Sequence, residues 1–284
     1  FCADAPVDLI RAAKAIARDG EVSPAEPPEG YWQFASMDRA VHRRAGFGFA
    51  IAMYSARISS FESINRENLK GWYTGFGATY LYNDDLGQFS GGFWPTVDAL
   101  RMPGTTVPAG RPLPDHKGAA DWVGGTDLDG RYGACGMEVR TDACTLTARK
   151  SWFLFDDEIV ALGAGISSRE GTAVETVVEN RKLADRVGRP PIPAENEAER
   201  LADGRHSMRS EYGSARSVGG CHPSLTVDGS ARTADGDWQQ TYELARWAHL
   251  TGPAAGSGIG YYFPRPVRLN VKCETRSGSW REIN

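Results

Sequence analysis

Residues 61–83 read FESINRENLKGWYTGFGATYLYN. Two acids and three amides stand here among one Trp, three Tyr and the glycines Gly71, Gly75 and Gly77, with neither a helical nor a strand period before Thr79. Packing alone does not explain that composition. Glu62 and Asn65 stand three apart, Glu67 and Asn68 follow at once, and the glycines let the backbone take a positive φ or come close to a ligand. Spacing by itself leaves two readings open: a solvated loop leading into an aromatic strand, Thr79 to Tyr82, or a polar site.

Working outward from this stretch, short apolar or alternating runs bounded by Gly, Asp and Ser predict strands. They fall at Phe34–Met37, Phe47–Ser59, Gly136–Arg140, Leu146–Phe155, Glu158–Ile166, Val174–Asn180, Ser224–Val227, Trp238–His249, Gly260–Phe263 and Val267–Cys273. Phe93–Val107 reads as an extended, turn-rich passage, and Trp94 within it is expected in a core. Asp127 and Asp129 predict a tight turn. Helical spacing occurs at Val7, Ile10, Ala13 and Ala17, ended by Gly20, with a second short helix expected near Glu195–Ala202. The fold class is therefore mainly β, a large antiparallel β-sandwich with a short N-terminal helix. The Pro-rich EVSPAEPPEG, residues 21–30, is the expected linker between a helical segment 1–20 and a β domain 31–284. The span Ala184–Gly220 breaks the rhythm and reads as an insertion.

Composition narrows the function. The chain has 284 residues, 41% of them hydrophobic, enough to bury a sizeable core. Thirty-six acids against 32 Lys plus Arg leave a formal charge of −4 without a basic block, so nucleic acid is not an expected partner. The most apolar runs, near Phe47–Met53 and Ile159–Ile166, are too short and too Gly-broken for a bilayer helix, and no membrane partner is expected. Cys2, Cys135, Cys144, Cys221 and Cys273 lack CxxC or His-paired spacing, and DLDG at 127–130 lacks the remaining ligands of a calcium loop, so no metal and no cofactor are expected. Cys135 and Cys144 are either a hairpin disulfide or two buried small side chains, the second being the commoner fate. The cationic MDRAVHRR, Met37–Arg44, also has two readings. Arg39, Arg43 and Arg44 could grip a carboxylate, or the segment is a charged strand edge paired with acids such as Asp38, with His42 a structural hydrogen-bonder.

The run ESINRENLKGWYTGFGATYLYN, preceded by MDRAVHRRAGFGFAIAM and followed by FWPTVDALRMPGTTV, KSWFLFDDEIVALGAGI, VETVVENRKL, WAHL and GYYFP, resembles the central β domain of polysaccharide lyase family 8. The family comprises hyaluronate, chondroitin AC and xanthan lyases. The resemblance covers most of the chain and is weakest from Ala184 to Pro223. It implies a galactose mutarotase-like supersandwich that would continue beyond SGSWREIN. Residues 1–20 would then be the last helix of an α-helical domain.

The resemblance also implies β-elimination on an acidic polysaccharide, hyaluronan first, with chondroitin or xanthan as alternatives, and a secreted protein. It maps Asn65 onto a family asparagine that contacts the uronate carboxylate and Glu62 onto the glutamate that positions it. Asn68, Trp72 and Arg66 are the expected substrate-binding neighbours. The family's Tyr base, its His and a second Asn come from a preceding α-helical catalytic domain, so this chain is expected to supply half a site and to be inactive alone. Three departures stand out: Arg66 and Phe76 occupy positions where the family usually has Gly and Asp, and Ala78 replaces a larger apolar residue. Phe76, between two glycines, is expected to crowd the loop. A non-catalytic β-sandwich that binds or scaffolds is the competing reading.

Overall fold

The computed structural model describes residues 6–21, 25–183, 208–212 and 223–283. A helix, α1 (Val7–Arg18), precedes fifteen antiparallel strands among the described residues. α1 buries none of its residues, and Val7, Leu9 and Ile16 stay exposed.

Strands β1 (Gly30–Phe34), β2 (Arg39–Arg44), β3 (Phe47–Ala52) and β4 (Ala78–Tyr82) form one meander in chain order. A second meander is built from β6 (Val123–Leu128), β7 (Tyr132–Thr141), β8 (Cys144–Leu154) and β9 (Ile159–Ser167). β5 (Thr106–Pro108), between the two meanders in sequence, pairs with β10 (Val174–Thr176), which follows the second. The last sheet has the order β11 (Met208–Tyr212), β15 (Ile259–Gly278), β14 (Trp238–Thr251), β12 (Ser224–Val227), β13 (Ser230–Thr233). The fold class is the expected one, mainly β and antiparallel.

Strand β8 shows why these residues make a sandwich. Cys144, Leu146, Ala148, Lys150, Trp152 and Leu154 alternate inward along CTLTARKSWFL, the two-residue period of a strand with one buried face. The apolar ones meet Ile51 and Ala78 from the first sheet, with Met53, Tyr54, Tyr73, Phe76, Met102 and Leu113 from the connecting segments, in one core. The last sheet has a far smaller core, Val227, Ala245 and Ala248, flanked by half-buried Tyr242, Tyr261, Phe263, Val267 and Leu269. Polar contacts tie it to the body: the Tyr261 hydroxyl donates to Glu179 at 2.8 Å, and Arg276 meets Asp98 at 3.4 Å.

Several expectations change. Residues 93–107 are not wholly extended: Phe93–Thr96 form one helical turn, α2, held by the Val97 amide donating to the Phe93 carbonyl at 2.8 Å. The segment 39–44 is an interior strand rather than an edge, and Asp38 is taken by Arg57 at 2.8 Å. Cys135 and Cys144 are free and buried. The register explains it, since Cys135 lies opposite Trp152 while Cys144 sits at the far, turn end of the β7–β8 hairpin opposite Thr141. Cys273 is likewise free and buried. Trp94 is half-buried and packs against the core, as expected. The Asp127–Gly130 turn forms, with the Gly130 amide donating to the Asp127 carboxylate at 2.7 Å. Residues 47–52 are the strand β3 that their pattern predicts, whereas Met53 to Ser59 leave the sheet. The helix expected near Glu195 falls outside the described residues. No described helix is long and apolar enough to cross a membrane.

Candidate active site

Segment 61–83 divides into two parts. From Glu62 to Leu69 every residue is exposed; from Gly71 to Thr79 every residue is buried or half-buried. The exposed part is a closed loop. Asn65, Arg66 and Asn68 sit at φ of 54°, 68° and 54°, the left-handed region that Asn tolerates better than most side chains. Local bonds hold it: Ser63 Oγ donates to the Glu67 carbonyl at 2.9 Å, the Glu67 amide to the Ile64 carbonyl at 2.9 Å, and Asn68 Nδ2 to the Glu62 carbonyl at 2.7 Å. Asn68, expected to touch substrate, thus uses one of its side-chain amide hydrogens to close the loop.

The buried part is the loop's foundation. Phe76 is fully buried and stacks on Tyr54, ring centroids 4.9 Å apart, with Tyr73 edge-on at 5.4 Å. The Tyr73 hydroxyl donates to the Arg111 carbonyl, and the Tyr80 hydroxyl to the Thr74 carbonyl at 3.2 Å. Phe76 therefore does not crowd the loop; its ring turns inward. Gly75 makes that possible, because a Cβ there would collide with the Ser60 carbonyl just before the loop. Trp72, expected to bind substrate, is half-buried against the same core.

The structure therefore places Glu62, Asn65 and Arg66 on one exposed loop, while Trp72 packs against the core that follows it. Residues the sequence reading did not single out complete the tether. The Leu69 amide donates to the Ile283 carbonyl at 2.9 Å and Lys70 Nζ to Glu282 at 2.9 Å, so the 3-10 turn Trp280–Glu282 braces the loop across 212 residues of chain. No local motif announces such a contact.

Other titratable groups are absorbed by structure. Burial raises the Tyr73 and Tyr80 phenols above their ordinary value. His42 is fully buried and donates from Nε2 to the Phe155 carbonyl at 2.6 Å, with its pKa lowered by burial. Arg44 and Arg131 both meet Asp156, at 3.2 and 2.8 Å, and the Tyr132 hydroxyl joins them at 2.8 Å. Hydrogen bonds from Arg131 and Tyr132 hold the Asp156 carboxyl below its usual range. Arg39 Nη1 donates to the Met53 carbonyl at 2.7 Å. Of the two readings of Met37–Arg44, the structural one accounts for the contacts of Arg39, His42 and Arg44. No group of three or more His, Cys, Asp or Glu positioned for a metal occurs among the described residues.

An antiparallel β-sandwich that displays an acid and an amide on an exposed loop with left-handed residues is an architecture that many families share. The comparisons specify which. The profile of polysaccharide lyase family 8, super-sandwich domain, matches residues 29–284, and the chain belongs to that family. It is 47% identical over its whole length to a xanthan lyase of Bacillus sp. (strain GL1) and 39% identical over 97% of it to a hyaluronate lyase of Thermasporomyces composti. It spans 27% and 31% of those proteins. Among solved structures, a Paenibacillus xanthan lyase superposes with a TM-score of 0.80 at 44% identity, over 98% of this chain and 24% of that one. A Streptomyces coelicolor A3 chondroitin AC lyase gives 0.61 at 32% identity, over 97% of this chain and 36% of that one.

Proposed function

We propose that the chain supplies the β-domain side of a lyase site that cleaves a uronic-acid-containing polysaccharide by β-elimination. The observation that carries this reading is the exposed Glu62–Asn68 loop, closed by its own hydrogen bonds and seated on fully buried Tyr73 and Phe76.

The chemistry asks for such a group. Removing the proton at C5 of a uronate places negative charge next to a carboxylate that is already anionic, so the carboxylate needs donors that strengthen as charge arrives. The Asn65 amide can donate without itself taking the proton, and Glu62 can orient it. A base removes the C5 proton, the C–H electrons form the C4–C5 double bond, and the C4–O bond breaks with its oxygen taking a proton. In this reading the base comes from a separate α-helical domain, as the family resemblance implies, while Tyr73 and Tyr80 stay in the core. The isolated chain is then inactive. Action outside the cell follows from a polymeric substrate.

The sequence reading placed hyaluronan first. The greater identity to a xanthan lyase than to a hyaluronate lyase favours xanthan, with hyaluronan second. The test is ultraviolet absorbance of the unsaturated uronide released from xanthan, hyaluronan and chondroitin by this chain alone and by a longer protein in which it is joined to an α-helical domain. Turnover of one polymer by the longer protein and none by the chain is expected. Strong turnover by the chain alone defeats the half-site reading, and none by either defeats the lyase reading.

A further inference from the structure

The two long strands of the last sheet carry an irregularity that their length does not require. Between the pairs Ala245–Val267 and Trp247–Tyr262 the register shifts, so residues 263–266 of β15, FPRP, lie opposite Arg246 alone. Pro264 and Pro266 have no N–H for the ladder, which suits a bulge. The bulge is pinned on both sides. Arg246 Nη1 donates to the Pro264 carbonyl at 3.1 Å. Asp228, at φ 45°, receives the Trp247 amide at 2.9 Å and the Arg246 amide at 3.1 Å on its carboxylate and gives its own amide to the Trp247 carbonyl at 3.0 Å.

Trp247 and Tyr262 are directly opposed and so share one face, where they remain 43% and 65% exposed. The indole lies across Gly260, where a Cβ would stand only 2.6 Å from the Trp247 ring. Any side chain at 260 would lift the ring off the sheet. Covering a glycine explains the indole's flat posture but not the neighbouring phenol or the charges. Around the bulge Arg246, Arg265 and Arg268 are exposed against two acids, Asp228, whose carboxylate is taken up by the Arg246 and Trp247 backbone amides, and Glu243, which meets Arg268 at 3.5 Å. Flat exposed rings accept the C–H face of a pyranose, and a guanidinium accepts a carboxylate with two parallel hydrogen bonds.

We propose that this bulge is a second binding surface for acidic polysaccharide, on which Trp247 and Tyr262 stack sugar rings while Arg246 and Arg265 take the acid groups. The assignment of an acidic polymer rests on the reading of the chain as part of a polysaccharide lyase. The surface would hold the polymer at a place on the β domain other than the Glu62–Asn68 loop.

The test measures binding of the full chain to xanthan and hyaluronan, with dextran as neutral polymer, by affinity electrophoresis and tryptophan fluorescence. Tyr262→Ala and Trp247→Ala are each expected to weaken binding of the acidic polymers by about three- to tenfold. Arg265→Ala should weaken it and flatten its salt dependence. Tyr262 and Arg265 lie out in solvent, so those two variants read the surface even if Trp247→Ala unfolds. Unchanged affinity in both overturns the proposal, and equal binding to dextran overturns the acidic assignment. An indole shielded from acrylamide in the longer protein also overturns it, by making the patch a seat for another segment. Tyr262-dependent binding in a protein without elimination activity would support this surface and defeat the lyase reading. Elimination with affinity indifferent to Tyr262 and Arg265 would do the reverse.

Discussion

The two parts of segment 61–83 are adjacent in sequence and opposite in physics. Glu62–Leu69 is exposed, bends through three left-handed residues and is held by a handful of hydrogen bonds. Gly71–Thr79 lies in the core, where Tyr73 and Phe76 have no exposed surface. A polar loop gains little from burial and cannot hold a geometry unaided, so the rings beneath it supply the rigidity that the carboxyl and amide need. Stability should therefore follow the floor and chemistry the loop.

The largest effect that could break this division is at the floor. Phe76→Ala empties a fully buried site and should cost about 3–5 kcal/mol, read by urea unfolding. A loss below about 1 kcal/mol would mean the ring is not a foundation. Next comes the loop. Asn65→Gly keeps the positive φ and removes only the amide, so turnover in the longer protein should fall by about 10²–10³ with the unfolding midpoint nearly unchanged. If both fall together, Asn65 is structural.

A third test asks whether the core that carries the floor titrates. Lys150 lies on the inward face of β8 opposite Met137, with its Nζ 5.4 Å from the Trp152 ring centroid, and donates to the Gly104 carbonyl. Burial lowers its ammonium from 10.5 to about 7. The unfolded chain keeps this proton through pH 9 while the folded one sheds it above 7, so folding stability from this group rises with pH in that window and is lost as pH falls. The gain between pH 7 and 9 is about 2 kcal/mol, and Lys150→Met should flatten it. Cys135, raised by burial to about 12, works in the opposite direction only above the ordinary thiol range. The smallest effect sharpens the comparison at the loop's edge. Lys70→Ala breaks a partly exposed ion pair with Glu282 and should cost about 0–1 kcal/mol, less in high salt.

How much of this was legible beforehand differs by element. The run Leu146–Phe155 predicted a strand, which the structure places at 144–154 with alternate residues inward, whereas the polar, Gly-rich composition of 61–83 left a solvated loop and a site both open, and only the family resemblance favoured the site. Ile159–Ser167 shows the limit. Its apolar sequence predicted a strand, yet the strand lies at a sheet edge with Val160, Leu162 and Ile166 exposed, since a pattern does not say what will cover it. Phe76 was misjudged for a related reason: a bulky residue between glycines reads as crowding until a cavity walled by Tyr54 and Tyr73 is known to receive it.

The sequence by itself determined the antiparallel β class, the family, and the loop that carries Glu62 and Asn65, because periodicity, turn residues and motif order are local properties of the chain. Tertiary structure alone decided that Asn68 closes the loop, that Phe76 supports it, that Glu282 and Ile283 brace it, and that Trp247 and Tyr262 stand side by side. Those are contacts between residues far apart in the chain or in the choice of which way a ring turns, and both are set by the space the rest of the fold leaves open.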